Sequence, residues 1–267
     1  MSATPHRSYL FVPGNRPERF DKALASGADV VIVDLEDAVP PDQKVAARAT
    51  VAAWLSAGKP VALRINAADT EWFADDVALC RSPGVAAVML AKAERADDLA
   101  ALAAQCLGVP LIALIESAAG FDQLGAIAAA PGVRRLAFGA IDLQLDMNMQ
   151  ATFSELLFFR SQLVLTSKIA GLQNPIDSPS TAIEDLQEVA ADAQAARRIG
   201  FGGKLCIHPR QVEHVNRAFS PSAAELAWAE RVLAAADASQ GAAVALDGKM
   251  IDKPVILRAQ ALLAARR

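Results

Sequence analysis

Aromatic residues and cysteines are both scarce in this chain of 267 residues. A single tyrosine, Tyr9, and an aromatic fraction of 5% leave little material for an aromatic-lined recognition surface. The three cysteines, Cys80, Cys106 and Cys206, are odd in number and widely spaced, with no CxxC pair. That argues against a disulfide framework and a cysteine-based zinc site, and it fits a reducing cytoplasm. There is no long basic run and the net charge is −4, so nucleic acid is not expected as a partner. No segment approaches the roughly 20 apolar residues of a membrane-spanning helix. The opening Met-Ser-Ala-Thr-Pro-His-Arg lacks the apolar stretch of a signal peptide. No GxGxxG follows the first apolar run, where the turn reads Pro13-Gly14-Asn15, and this speaks against a dinucleotide fold. Ser117 has no evident histidine partner, so a hydrolase triad is not supported.

What the chain does have is an ordinary globular composition, 53% apolar and 21% charged, rich in helix-favouring alanine. Short apolar runs alternate with longer amphipathic stretches. Strands are expected at 8–12, 30–34, 60–65, 86–90, 110–115, 135–138, 174–176 and 204–207. Helices are expected at 17–26, 41–56, 71–80, 93–106, 120–130, 151–170, 181–199 and 210–218. The strand candidates carry Val, Ile and Leu on both faces, as buried parallel strands do. Eight strand–helix units in this length predict a (β/α)8 barrel, with a doubly wound sheet as the runner-up. The barrel is assigned to residues 1–220. Residues 221–267 form a C-terminal helical extension and lid, with helices expected at 222–236 and 255–265. Between those helices, Leu246-Asp247-Gly248-Lys249-Met250-Ile251-Asp252-Lys253-Pro254 is too specific for a fraying tail.

Barrel enzymes build their sites at the C-terminal ends of the strands. Here those ends read Asp34, Glu36 and Asp37, then Arg64, Lys92, Glu116, Asp142, Asp177 and His208, whereas the strand starts are bland. A buried unpaired charge costs several kcal/mol, roughly, so apolar runs that end in charges need a shared reason. Glu116 and Asp142 follow adjacent strands, and two carboxylates suit a hard divalent cation such as Mg2+, with Mn2+ as a substitute. Each acid would otherwise cap the helix after it. Arg64 suits an anionic substrate, or else an ion pair with Glu36 or Asp37, and the two roles are compatible. The cluster Asp34-Leu35-Glu36-Asp37 reads as support behind the site, with Asp34 pointing inward at its strand end and Asp37 the plainer surface charge. His208 either caps the last barrel helix or serves the site, and Lys204 reads as structural.

Several motifs resemble the citrate lyase beta-subunit-like enzymes of the HpcH/HpaI aldolase/citrate lyase superfamily, in family order along almost the whole chain. They are Leu10-Phe11-Val12-Pro13-Gly14-Asn15-Arg16-Pro17, Asp34-Leu35-Glu36-Asp37-Ala38-Val39-Pro40, Arg64-Ile65-Asn66, Ile115-Glu116-Ser117-Ala118 and Phe138-Gly139-Ala140-Ile141-Asp142. Lys204-Leu205-Cys206-Ile207-His208-Pro209 and Gly248-Lys249-Met250-Ile251-Asp252 complete the set. The segments Asp146–Met149 and Phe159–Leu163 depart from the family pattern. The resemblance implies a (β/α)8 barrel with magnesium on Glu116 and Asp142. It implies cleavage or formation of a C–C bond in a short 3-hydroxyacyl thioester, with coenzyme A as part of the substrate and a 2-oxo acid as co-product. Arg64 would contact the oxo acid and developing enolate, with Arg16, Asp34, Glu36 and His208 completing the substrate-binding set. Asp252 would sit on a lid exchanged between the subunits of a homotrimer or hexamer. Three alternatives share these features: a citrate lyase beta subunit acting on an acyl-carrier thioester, a malyl-CoA thioesterase, and a non-catalytic barrel.

Overall fold

Strands that are apolar on both faces have to be covered on both faces, which is what a closed barrel wrapped in helices achieves. The computed structural model describes residues 6–55, 59–238 and 244–266. Eight parallel strands pair in chain order and close, the first against the eighth. They are β1 (Ser8–Pro13), β2 (Val30–Asp34), β3 (Val61–Ile65), β4 (Val85–Leu90), β5 (Leu111–Ile115), β6 (Val133–Phe138), β7 (Ile176–Asp177) and β8 (Gly203–Cys206). Strands β3 and β5 are buried along their whole length. The interior is filled by Tyr9, Ile32, Ala62, Met89, Ile112, Leu114, Ala137, Ile176 and Leu205, so that every strand contributes and the barrel is a packed core rather than a pore. The expected (β/α)8 barrel is the observed fold.

The helices are α1 (Phe20–Leu24), α2 (Lys44–Leu55), α3 (Phe73–Leu79), α4 (Ala96–Cys106), α5 (Ala118–Asp122) and α6 (Leu124–Ala129). They continue with α7 (Ala140–Asp146), α8 (Leu157–Ile169), α9 (Leu186–Ile199) and α10 (Pro209–Phe219). Two differences from the sequence pattern bear on the site. The stretch expected to be helical from 151 starts only at Leu157, because the Thr152 N–H is taken by Glu155 Oε2 (2.6 Å) and the Thr152 and Ser154 hydroxyls bond each other (3.0 Å). Such local side-chain bonds compete with the helix ladder. The short helix α7 was not expected at all, since the apolar run Leu-Ala-Phe-Gly-Ala-Ile conceals the change from strand to helix.

The chain divides into two compact units, one of His6–Asn216 and the other from Arg217 onward. The second contains α11 (Ala223–Ala238), an antiparallel hairpin of β9 (Val244–Leu246) and β10 (Lys249–Ile251), and α12 (Lys253–Ala264). Asp247 and Gly248, at φ 51° and 75°, form its turn, as Asp-Gly does in tight hairpins. Ala229, Val232, Ile251 and Ala259 form the core of this unit. Asp252 caps α12, its Oδ1 accepting the Val255 N–H at 3.2 Å, and Pro254 lies in the first turn.

Candidate active site

Arg64 is placed by strand register. Parallel pairing sets it opposite Asp34, and the two side chains join at the barrel mouth. Its Nε and Nη2 donate to the two Asp34 carboxylate oxygens at 2.7 and 2.6 Å. Nη1 lies 3.0 Å from Glu36 Oε2 and 3.8 Å from Asp37 Oδ2, and the guanidinium rests 4.7 Å from the Phe11 ring centroid. Asp34, rather than Glu36 or Asp37, is thus the main partner, for the reason that only Asp34 shares the register. Its oxygens also accept the Glu36 and Ala38 N–H groups at 2.9 and 3.2 Å, which folds the following loop back over the strand end.

Glu116 leaves the end of β5 and is buried. It does not cap the helix behind it, because Ser117 does: Ser117 Oγ accepts the Gly120 N–H at 3.2 Å. Glu116 Oε1 instead accepts the Lys92 N–H at 2.7 Å. Lys92 is left-handed, at φ 46°, a conformation that lysine adopts only under constraint and that here aims its N–H at the carboxylate. Lys92 Nζ is 3.4 Å from Glu36 Oε1. Gly139 makes room for Glu116, since a Cβ on it would stand 2.5 Å from Glu116 Oε2. Asp142 lies in the first turn of α7, directly after the neighbouring strand. At the other end of α7, Asp146 accepts the Ala118 N–H at 2.7 Å, which ties the start of α5 to the segment that departs from the family pattern.

Several of these residues line a cavity of about 430 Å³. Its lining includes Asp34, Asp37, Glu116 and Asp142, against a single cation, Arg64. Two of these acids, Glu116 and Asp142, are accordingly hard to ionise. Burial pushes the Glu116 carboxyl up to about 8, with nearby Asp142 adding to the rise and Arg64 opposing it. Burial likewise raises Asp142, with Asp37 adding to it, and raises Glu36 against the pull of Arg64. Excess carboxylate in a low-dielectric pocket is the donor set of a hard divalent cation, whose charge would reverse these shifts. Among the described residues no three acids, histidines or cysteines are grouped to hold an ion alone. Two carboxylates leave most of an octahedral shell to substrate and water, as magnesium sites do.

Arg16, Glu36 and His208 of the barrel unit are not part of the cavity lining. Arg16 is exposed. His208 is at the start of α10, where its Nδ1 accepts the Arg210 N–H at 3.2 Å. Asp177 is fully buried between Arg160 Nε (2.9 Å) and Lys204 Nζ (2.8 Å), which makes Lys204 the structural residue it was expected to be. Glu36 supports Arg64 and Lys92 from behind the lining, and Asp252 belongs to the C-terminal unit. Phe11, Ile207 and Ser178 line the cavity without having been singled out from sequence. The only available signal for Ser178 was its place directly after the seventh strand.

Comparison with known proteins places the fold in a family. The family model for HpcH/HpaI aldolase/citrate lyase matches residues 7–209. A citrate lyase subunit beta-like protein of Deinococcus radiodurans is 36% identical, with 99% of each chain covered. A (3S)-malyl-CoA thioesterase of Cereibacter sphaeroides is 34% identical over 98% of this chain and 95% of its own. The crystal structure of CitE from Mycobacterium tuberculosis in complex with magnesium, acetoacetate and coenzyme A superposes with a TM-score of 0.87 at 34% identity, covering 98% of both chains. The chain belongs to the HpcH/HpaI aldolase/citrate lyase family, and with it to the enzymes of the carbon–carbon lyase type.

Proposed function

We propose that the protein is a magnesium-dependent lyase that cleaves, or forms, a short 3-hydroxyacyl thioester such as malyl-CoA or citramalyl-CoA, with acetyl-CoA and a 2-oxo acid as products. The observation that carries this reading is the cavity in which Glu116 and Asp142 face Arg64 without enough positive charge to balance the acids. A divalent cation held by Glu116 and Asp142 would supply Lewis acidity for a substrate carboxylate and the oxygen beside it. Lys92 N–H and Gly139 keep the Glu116 carboxylate aimed into the cavity. Arg64, gripped through Nε and Nη2 by Asp34 and with Nη1 beside Glu36, keeps one N–H on each of Nη1 and Nη2 for the oxyanion that develops as the C–C bond breaks. Leu114 and Leu205 supply apolar lining beside these charged groups. Asp252 would deliver the proton to the acetyl carbon, a role that rests on the family resemblance. The thioester itself acidifies that carbon, so no Schiff-base lysine is needed. The odd, widely spaced cysteines support a reducing cytoplasm, and the resemblance supports a homotrimer or hexamer with lids exchanged between subunits. No described helix is long and apolar enough to cross a membrane.

The test is a panel of malyl-, citramalyl- and citryl-thioesters incubated with magnesium and scored for acetyl-CoA and oxo acid. Turnover of at least one CoA ester, absent in Glu116→Gln and Asp142→Asn, is expected. A panel without magnesium-dependent cleavage, or full activity in either variant, would sink the reading. A malyl-CoA thioesterase is the second reading, favoured by the relative of that name at 34% identity. It yields free malate and CoA without oxo acid, so the same product analysis separates the two.

A further inference from the structure

Ser178 follows β7 directly and is 2% exposed, yet it lines the active-site cavity. Its Oγ accepts the Ala140 N–H at 3.1 Å, two residues before Asp142. A hydroxyl has one proton to give as well as lone pairs to offer. With the Ala140 N–H held on the acceptor side, that proton has no described partner, and the cavity lies in front of it. A buried donor left without an acceptor is disfavoured by about 1–3 kcal/mol, so an acceptor is expected to arrive with a ligand. The rest of the polar lining is four acids and Arg64. With the carboxylates ionised on a metal, Arg64 and Ser178 are the side chains of that lining able to donate to an anionic oxygen.

We infer that Ser178 is a substrate-binding residue that donates its hydroxyl proton to a carboxylate oxygen of the 2-oxo acid, on the Asp142 side of the cavity. This rests on the lyase reading above, and it adds a residue and a contact that the reading does not contain. The alternative is a structural serine that does no more than hold the start of α7.

Calorimetric titration of pyruvate into the magnesium-loaded full-length protein, beside a direct magnesium titration, tells these apart. Ser178→Ala is expected to bind pyruvate about tenfold more weakly or worse, as for a lost hydrogen bond to a charged group. Its magnesium affinity should stay within about twofold of wild type, and Ser178→Thr, which keeps the hydroxyl, should bind pyruvate within about threefold. Unchanged pyruvate affinity in Ser178→Ala overturns the assignment. So does a parallel loss of magnesium affinity, which is the mark of a purely structural serine beside Asp142. If Ser178→Ala does not fold, Ser178→Cys, a weak donor of similar shape, is read by the same criteria. A wild-type protein that binds neither pyruvate nor glyoxylate with magnesium would bring down the functional reading and this contact together. Normal wild-type binding with an indifferent Ser178→Ala brings down the contact alone.

Discussion

Arg64 and Glu116 owe their chemistry to opposite circumstances: one has more partners than it needs, the other too few. The two oxygens of Asp34 hold Arg64 in a fork that a lysine cannot reproduce. Arg64→Lys is therefore expected to lower kcat/KM by ~10²-fold or more, as when a preorganised oxyanion donor is removed. A loss smaller than about tenfold in steady-state kinetics would leave Arg64 as an ion-pair partner only. Glu116 is held up near 8 by burial, and this has a sign that can be measured. In the metal-free protein the folded-state carboxyl keeps its proton well above the ordinary value of 4.5, at which the unfolded chain loses it. The unfolded state then binds fewer protons across that window, so stability falls as pH rises from about 4.5 towards about 8. Thermal melts in chelator should show this decline, with a shallower slope in Glu116→Gln. Added magnesium should raise Tm more at the alkaline end, where no proton competes for the carboxylate. An identical slope in wild type and Glu116→Gln would show that another group carries the effect. The charged strand ends were legible in sequence because several apolar runs end in a charge together, although each one alone could cap a helix or form an ion pair. Ser178 was not, because a serine after a strand is unremarkable until its surroundings are known.

At the scale of elements, strands such as β2, β3 and β5 could be read from composition as continuous runs of Val, Ile, Leu and Ala, whereas β7, only Ile176–Asp177, meets the expected 174–176 at Ile176 alone. Helices were less legible wherever polar side chains redirected the backbone. Thr152 and Glu155 delay α8, and Ser117 rather than Glu116 caps α5. The hairpin of β9 and β10 was missed although Asp247-Gly248 is a strong turn signal, because strands of three residues are too short to show alternation. The junction of β6 and α7 matters most for the site. There Gly139 lets the main chain pass against the Glu116 side chain. Gly139→Ala would push Glu116 out of line without touching any charge. Magnesium affinity should fall by roughly 10–100-fold, in the range seen when groups behind a metal ligand are altered, while the barrel stays folded. A variant that binds magnesium like wild type in calorimetry would show that Glu116 can shift at no consequence, and would count against it as a ligand.

At the scale of the whole molecule, the proposal that a lid from one subunit completes the site of another turns on Asp252. Its carboxylate caps α12, so truncation to alanine would also weaken the helix, by about 0.5–2 kcal/mol. Asparagine caps nearly as well but is no acid, which makes Asp252→Asn the cleaner variant. Alone, Asp252→Asn is expected to keep its fold and magnesium affinity and to lose most turnover. Glu116→Gln alone is expected to be inactive for want of a ligand. In a mixture of the two, each site draws its barrel from one chain and its lid from another. With random exchange, about one quarter of sites would then combine an intact Glu116 with an intact Asp252, as a head-to-tail ring allows. Activity should return towards that fraction of wild type after subunit exchange, followed by native mass spectrometry of the mixed assemblies. If each chain used its own Asp252, every site would lack one group or the other and the mixture would stay inactive. Verified exchange without recovered activity would thus exclude a shared site and leave Asp252 to its own subunit, or to capping α12 alone.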